Sequence, residues 1–127
     1  MSRLILIALG GAGGALLRYA VARGASLLAS PGFPWGTLAA NLGGCLAIGW
    51  LSVWAERAAL SPEAAAFLLT GLLGAFTTFS TYGLESVRLL QSGAVWRGGL
   101  YLLASNALGL VLVAGGMAAA RYALPGA

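Results

Sequence analysis

Residues 74–83 read Gly-Ala-Phe-Thr-Thr-Phe-Ser-Thr-Tyr-Gly. Thr77, Thr78, Ser80 and Thr81 stand almost side by side among Phe76, Phe79 and Tyr82. Hydroxyl groups can donate hydrogen bonds to an anion, and an aromatic ring presents a positive edge. Ser and Thr are weak helix formers because their side chains compete for backbone groups. The cluster therefore predicts a broken helix that exposes carbonyls to a cation and amide donors to an anion. The alternative is an unbroken helix with a polar packing face. Two smaller polar sets accompany it. Thr37, Asn41 and Cys45 recur every fourth residue, on one helix face, and Tyr101, Ser105 and Asn106 form a second cluster. A lone Thr in an apolar helix usually bonds its own backbone, which is the expectation for Thr37 and Thr70. Asn41 carries two donors and an acceptor, and helix–helix bonding and pore lining both remain open for it.

The elements that position these groups follow from composition. The chain has 127 residues, 60% apolar and only 8% charged. Soluble domains run near 25% charged, and so little polar surface cannot solvate a fold. A soluble enzyme, a disordered chain and a disulfide scaffold are excluded, and the expectation is an all-α membrane protein of one domain, residues 1–127. A membrane helix needs about 20 apolar residues. Four segments qualify, at approximately 4–28, 35–55, 62–90 and 98–120. Pro31, Gly32 and Pro34 end the first, Trp35 and Trp54 suit an interfacial belt for the second, and Arg121 and Pro125 close the fourth. Ser61-Pro62-Glu63 reads as a helix start, a cap followed by proline at the first position. Gly10 and Gly14, and Gly36, Ala40 and Gly44, recur four apart, a spacing that lets helix backbones approach closely.

Charge restricts function further. Seven Arg and three Glu are the only charged residues by type, giving +4, with no His. The arginines lie singly, so the clustered basic face of a nucleic-acid binder is missing. Four spans put both termini on one side, with Arg3, Arg57 and Arg121. The opposite side holds Arg18, Arg23, Arg88 and Arg97. This balance nearly abolishes the positive-inside bias and permits insertion in both orientations. No carboxylate lies at the centre of a span, as a proton-coupled carrier requires. Nucleophile–base pairs, metal-ligand sets and phosphate-cradling loops are missing too, so the chain is not expected to be an enzyme; Gly10-Gly11-Ala12-Gly13-Gly14 lacks the GxGxxG spacing. Cys45 is alone and reads as a small packing residue. Ala20-Val21-Ala22 looks like a leader-cleavage site, but Arg18 interrupts the region before it. Glu85 precedes Arg88 by one helical turn, a spacing suited to an ion pair. Arg18 either snorkels to the interface or attracts anions at a pore mouth.

Three motifs together resemble the Fluc/CrcB fluoride channel family: GGAGGALLRY at 10–19, GTLAANLGG at 36–44 and GLLGAFTTFSTYG at 71–83. They span nearly the whole chain in order. The resemblance implies an antiparallel, dual-topology homodimer in the inner membrane, with two passive pores that export fluoride from the cytoplasm and relieve its toxicity. It implies that Asn41, Phe79, Tyr82, Ser80, Thr81, Tyr101 and Ser105 line the fluoride path. It puts Arg18 and Glu85 at the vestibule. It also implies a structural Na⁺ at the dimer interface, held by backbone carbonyls of Gly74 and Thr77. The partners so implied are fluoride, a second copy and the lipid bilayer, with no nucleic acid. Small dual-topology multidrug exporters are the nearest rival, but they need a glutamate in the first span, and this span has none. One departure stands out: Tyr82 replaces the family's usual phenylalanine. Its ring edge is kept, so Tyr82→Phe is expected to retain fluoride flux in a liposome assay; complete loss would make the hydroxyl essential.

Overall fold

The computed structural model describes residues 2–29, 31–58 and 60–124. Four long apolar stretches cross from end to end: Arg3–Leu28, Trp35–Arg57, Pro62–Gln91 and Val95–Ala123. They match the four expected spans, and the last starts about one turn earlier than expected. Pro125, expected to close it, lies outside the described residues.

The first two spans are single helices, α1 (Arg3–Leu28) and α2 (Trp35–Arg57). The third is composite. It opens with α3 (Pro62–Ala65), where Ser61 Oγ accepts from the Ala64 amide at 3.2 Å, the expected cap. A wider π-helical stretch follows, Ala66–Leu73, then α4 (Gly74–Phe76) and α5 (Phe79–Gln91). Between α4 and α5 the chain leaves helical geometry, with ψ at 159° for Thr77 and 114° for Thr78. The expected break is therefore present, at these two threonines. The fourth span is α6 (Val95–Leu103), a π-helical stretch Ala104–Leu108, and α7 (Gly109–Ala123). The two π-helical stretches have no counterpart in the sequence expectations. Between α5 and α6, Gly93 takes a φ of 79° that lets three amides turn back onto Arg88, Leu89 and Leu90.

Contacts at one end of the bundle fix the topology. Arg3 Nε pairs with Glu63 Oε1 at 3.2 Å, and Arg57 Nη1 reaches the Arg121 carbonyl at 3.4 Å. Both ends of the chain and the turn after α2 thus share a side, as the four-span reading requires.

The helices pack through small residues. α1 lies on the Ala66–Leu73 stretch and on α4, and α2 runs along α7. Gly10 and Gly14 are buried, and a Cβ at Gly14 would fall on the Leu72 carbonyl oxygen. Gly49 and Gly116 serve α2 and α7 reciprocally: a Cβ at Gly49 would strike the Val113 carbonyl, and one at Gly116 the Leu46 carbonyl. Without a hydrophobic drive between helices in lipid, this close backbone approach supplies the dispersion contact that holds them. Two apolar clusters result, Leu38 with Tyr82 and Tyr101, and Ala40 with Leu73 and Phe76.

Gly14→Val should lower the thermal unfolding midpoint in detergent, since overpacking against backbone costs about 1–3 kcal/mol or more. Gly11→Ala meets nothing within 4 Å and should leave the midpoint level or slightly raised. Equal effects of the two would refute the close-packing account.

Candidate functional site

A backbone break inside an apolar layer leaves amides and carbonyls without helical partners, each costly unless satisfied. At this break one side chain meets most of the demand. Thr78 donates its amide to Asn41 Oδ1 at 2.8 Å, and Asn41 Nδ2 donates to the Thr78 carbonyl at 3.1 Å. Thr78 Oγ1 then caps α5, accepting from the Thr81 amide at 3.3 Å and donating to Thr81 Oγ1 at 3.0 Å. Of the two readings left open for Asn41, helix–helix bonding is what its geometry displays. Its second amide hydrogen has no partner among the described residues, and Asn41 also lines the adjoining cleft.

These bonds release two carbonyls. The Thr78 amide, which would have bonded Gly74, goes to Asn41. The Thr81 amide, which would have bonded Thr77, goes to Thr78 Oγ1. The Gly74 and Thr77 oxygens are therefore of the kind a hard cation accepts. Two oxygens from one chain make only part of such a shell, because hard cations take about six. Arg18 Nη1 approaches the Thr77 oxygen at 3.5 Å, the outer limit of a hydrogen bond. Arg18 is half-buried beside the break and is not among the residues that line the two clefts Glu85 borders.

A cleft of about 410 Å³ opens beside the break, bordered by Asn41, Thr78, Phe79, Tyr82, Ser105 and Asn106 among others. Among the described residues no carboxylate lines it. From it a row of rings leads toward one end of the bundle. Phe79 and Tyr82 have centroids 5.6 Å apart, Tyr82 and Tyr101 5.3 Å, and Tyr101 meets Phe33 edge-on at 5.5 Å. Tyr101 is fully buried, whereas Phe79 is 83% exposed. Ser80 and Thr81 are exposed on the same helix. Ser105 Oγ is buried and has no partner among the described residues.

At the far end of the ring row stands a three-residue polar junction. Thr37 Oγ1 donates to Glu85 Oε1 at 3.0 Å, and Tyr101 Oη donates to Glu85 Oε2 at 2.8 Å. Two expectations are corrected here. Thr37 bonds Glu85 rather than its own helix, because α5 brings an acceptor within reach. Glu85 bonds Thr37 and Tyr101 rather than Arg88, and Arg3–Glu63 is the salt bridge found among the described residues. Glu85 also borders two outer clefts of about 550 and 500 Å³, the second lined by Arg88 and Arg97.

Most of the expected residues fall into three places, whereas Ser80 and Thr81 line none of the three clefts described and stand exposed on α5. Asn41, Phe79, Tyr82 and Ser105 share the central cleft, with Gly74 and Thr77 at its edge. Tyr101 and Glu85 meet at the junction, and Arg18 lies behind the break. Two participants had no assigned role in the sequence reading: Thr37 as a partner of Glu85, and Asn106, whose Nδ2 donates to Tyr82 Oη at 2.7 Å. The grouping of Asn106 with Tyr101 and Ser105 was the available signal for the latter.

Residues 5–117 match the family described as CrcB-like protein, Camphor Resistance (CrcB). A protein of Salinibacter ruber named fluoride-specific ion channel FluC is 52% identical over 99% of this chain and 95% of its own length. Relatives with the same name in Rhizobium etli and Desulfotalea psychrophila are 44% and 48% identical, over 95% and 89% of this chain and 98% and 88% of their own lengths.

Removing either donor to Glu85 should destabilise the fold. Thr37→Val and Tyr101→Phe should each cost about 1–3 kcal/mol in detergent unfolding, as hydrogen bonds to a carboxylate do. Their effects should not add, because both act on one carboxylate. Strict additivity would show that the junction is not a unit.

Proposed function

The chain belongs to the CrcB family, and on that premise we propose that it is a passive, fluoride-selective channel that carries the ion out of the cytoplasm and so relieves its toxicity. The observation that carries this reading is the neutral lining of the central cleft. Asn41, Tyr82 and Ser105 offer hydrogen-bond donors there, the rings of Phe79 and Tyr82 stand alongside, and no carboxylate among the described residues intrudes. Taking a small ion out of water costs on the order of tens of kcal/mol unless its surroundings replace the lost hydration. Fixed amide and hydroxyl donors do that for an anion. Ring edges add a weaker attraction without binding too tightly for release. Arg88 and Arg97 in the outer cleft raise the anion concentration at the mouth.

The unit that conducts is, in this proposal, an antiparallel homodimer with two pores, inserted in both orientations in the inner membrane. Two observations support a second copy. Phe79 is 83% exposed by its own chain, beside exposed Ser80 and Thr81. Lipid could cover the ring, but the Thr81 hydroxyl, which accepts from Thr78 Oγ1, has no acceptor for its own proton among the described residues, and Ser80 Oγ has only a long contact of 3.4 Å to Thr78 Oγ1. A like surface could satisfy ring and hydroxyls together. The near-balance of arginines permits the two orientations such a pair needs. In the same assembly the Gly74 and Thr77 carbonyls of the two copies would together hold one structural Na⁺. That ion would supply fixed positive charge and tie the copies together, and this chain's part is to free the oxygens by giving the Thr78 and Thr81 amides to side-chain acceptors.

Liposomes holding the purified protein test the function. Efflux of fluoride down its gradient, without proton coupling and with chloride retained, is the expected result. Absence of fluoride efflux, or flux that follows a proton gradient, would overturn the channel.

A further inference from the structure

Tyr82 stands where the family resemblance expects phenylalanine, and its hydroxyl is not idle. Asn106 Nδ2 lies 2.7 Å from Tyr82 Oη and 2.8 Å from the Leu102 carbonyl. The Leu102 oxygen can only accept, so the group facing it must be the NH₂ end of the amide rather than its oxygen. Both hydrogens of that NH₂ are then committed, one to Leu102 and one to Tyr82. Tyr82 Oη is consequently an acceptor toward Asn106, and its own proton must point elsewhere. It donates to no group among the described residues.

The ring is 8% exposed and held between Phe79 and Tyr101 at 5.6 and 5.3 Å. It therefore cannot swing its hydroxyl out to water. Tyr82 lines the central cleft together with Ser105, whose buried hydroxyl also lacks a partner among the described residues. Among the described residues, two uncommitted O–H donors, on the third and fourth spans, thus border one cavity that no carboxylate lines.

We propose that Tyr82 Oη donates a hydrogen bond to the permeating anion, and that Asn106 is the positioning residue that aims it by occupying the oxygen's acceptor side. At this position the chain contacts the ion through an O–H donor in addition to a ring edge. Asn106 is exposed on its own helix, where a polar side chain in an apolar layer needs a reason. Orienting Tyr82 while satisfying the Leu102 carbonyl gives one. The ligand class is a small, strongly hydrogen-bonding monovalent anion, so the inference rests on the channel reading and refines it.

A double-mutant cycle on fluoride efflux tests it, with the initial rate measured against fluoride concentration for the parent, Tyr82→Phe, Asn106→Ala and the double variant. A charge-assisted hydrogen bond is worth about a tenfold change in equilibrium. Tyr82→Phe should therefore raise the half-saturating fluoride concentration by roughly that factor. Asn106→Ala should raise it in the parent and leave it unmoved in the Tyr82→Phe background. An unshifted half-saturation in Tyr82→Phe overturns the donor role. A shift by Asn106→Ala that persists in the Tyr82→Phe background overturns the positioning role, because a merely structural effect would not depend on the hydroxyl. A parent protein that passes no fluoride overturns the channel reading itself and this inference with it.

Discussion

An apolar layer makes unpaired backbone costly, and the two-way bond between the Asn41 amide and the Thr78 backbone is this protein's main answer to that constraint. A single side chain supplies the donor and the acceptor that the broken helix lacks. Few residue types could do this. Glutamine is one methylene too long for the same register, and aspartate has no donor. With Thr78 pinned, its hydroxyl is free to cap α5, and α5 leaves the break in a fixed direction. The directions of Phe79, Tyr82 and Glu85 follow from that. So does the release of the Gly74 and Thr77 carbonyls, since the amides they would have bonded are engaged elsewhere.

Packing holds the two sides of this bond at the right distance. Gly44 on α2 lies against the methyl of Thr77, and a Cβ there would collide with it. Ala40 is fully buried among Leu73 and Phe76, one turn away on the same face. Small residues thus bring α2 to the break, and Asn41 lies among them. α1 seals the other side through Gly10 and Gly14. The close approaches and the polar bond depend on each other: without the glycines Asn41 could not reach Thr78, and without Asn41 the break would not be stable where the glycines place it.

Local features of this architecture were legible in the sequence. The four spans follow from hydropathy, and the Ser61-Pro62 start from cap chemistry. The break follows from the hydroxyl residues clustered at 77–81, and the importance of Asn41 from an amide whose two donors and acceptor its own helix does not need. Features that depend on two or more elements were not legible. Glu85 looked suited to Arg88 because spacing along one helix is visible, whereas its true partners, Thr37 and Tyr101, come from two other spans. Gly49 and Gly116 carry the α2–α7 contact without forming a four-residue repeat with other glycines in either helix. The π-helical stretches at Ala66–Leu73 and Ala104–Leu108 arise from backbone adjustment within the packed bundle, and no residue type announces them. The pairing of Tyr82 with Asn106 needed both the α5 direction and the second π-helical stretch.

The conducting arrangement depends on the Asn41–Thr78 bond. The most direct measurement is fluoride efflux from liposomes holding Asn41→Leu protein that elutes from a sizing column as the parent does. Loss of fluoride efflux in this assembled variant is the predicted result, because the Thr78 amide and carbonyl lose their partners and the direction of α5 is no longer fixed. Efflux at the parent rate would contradict the account.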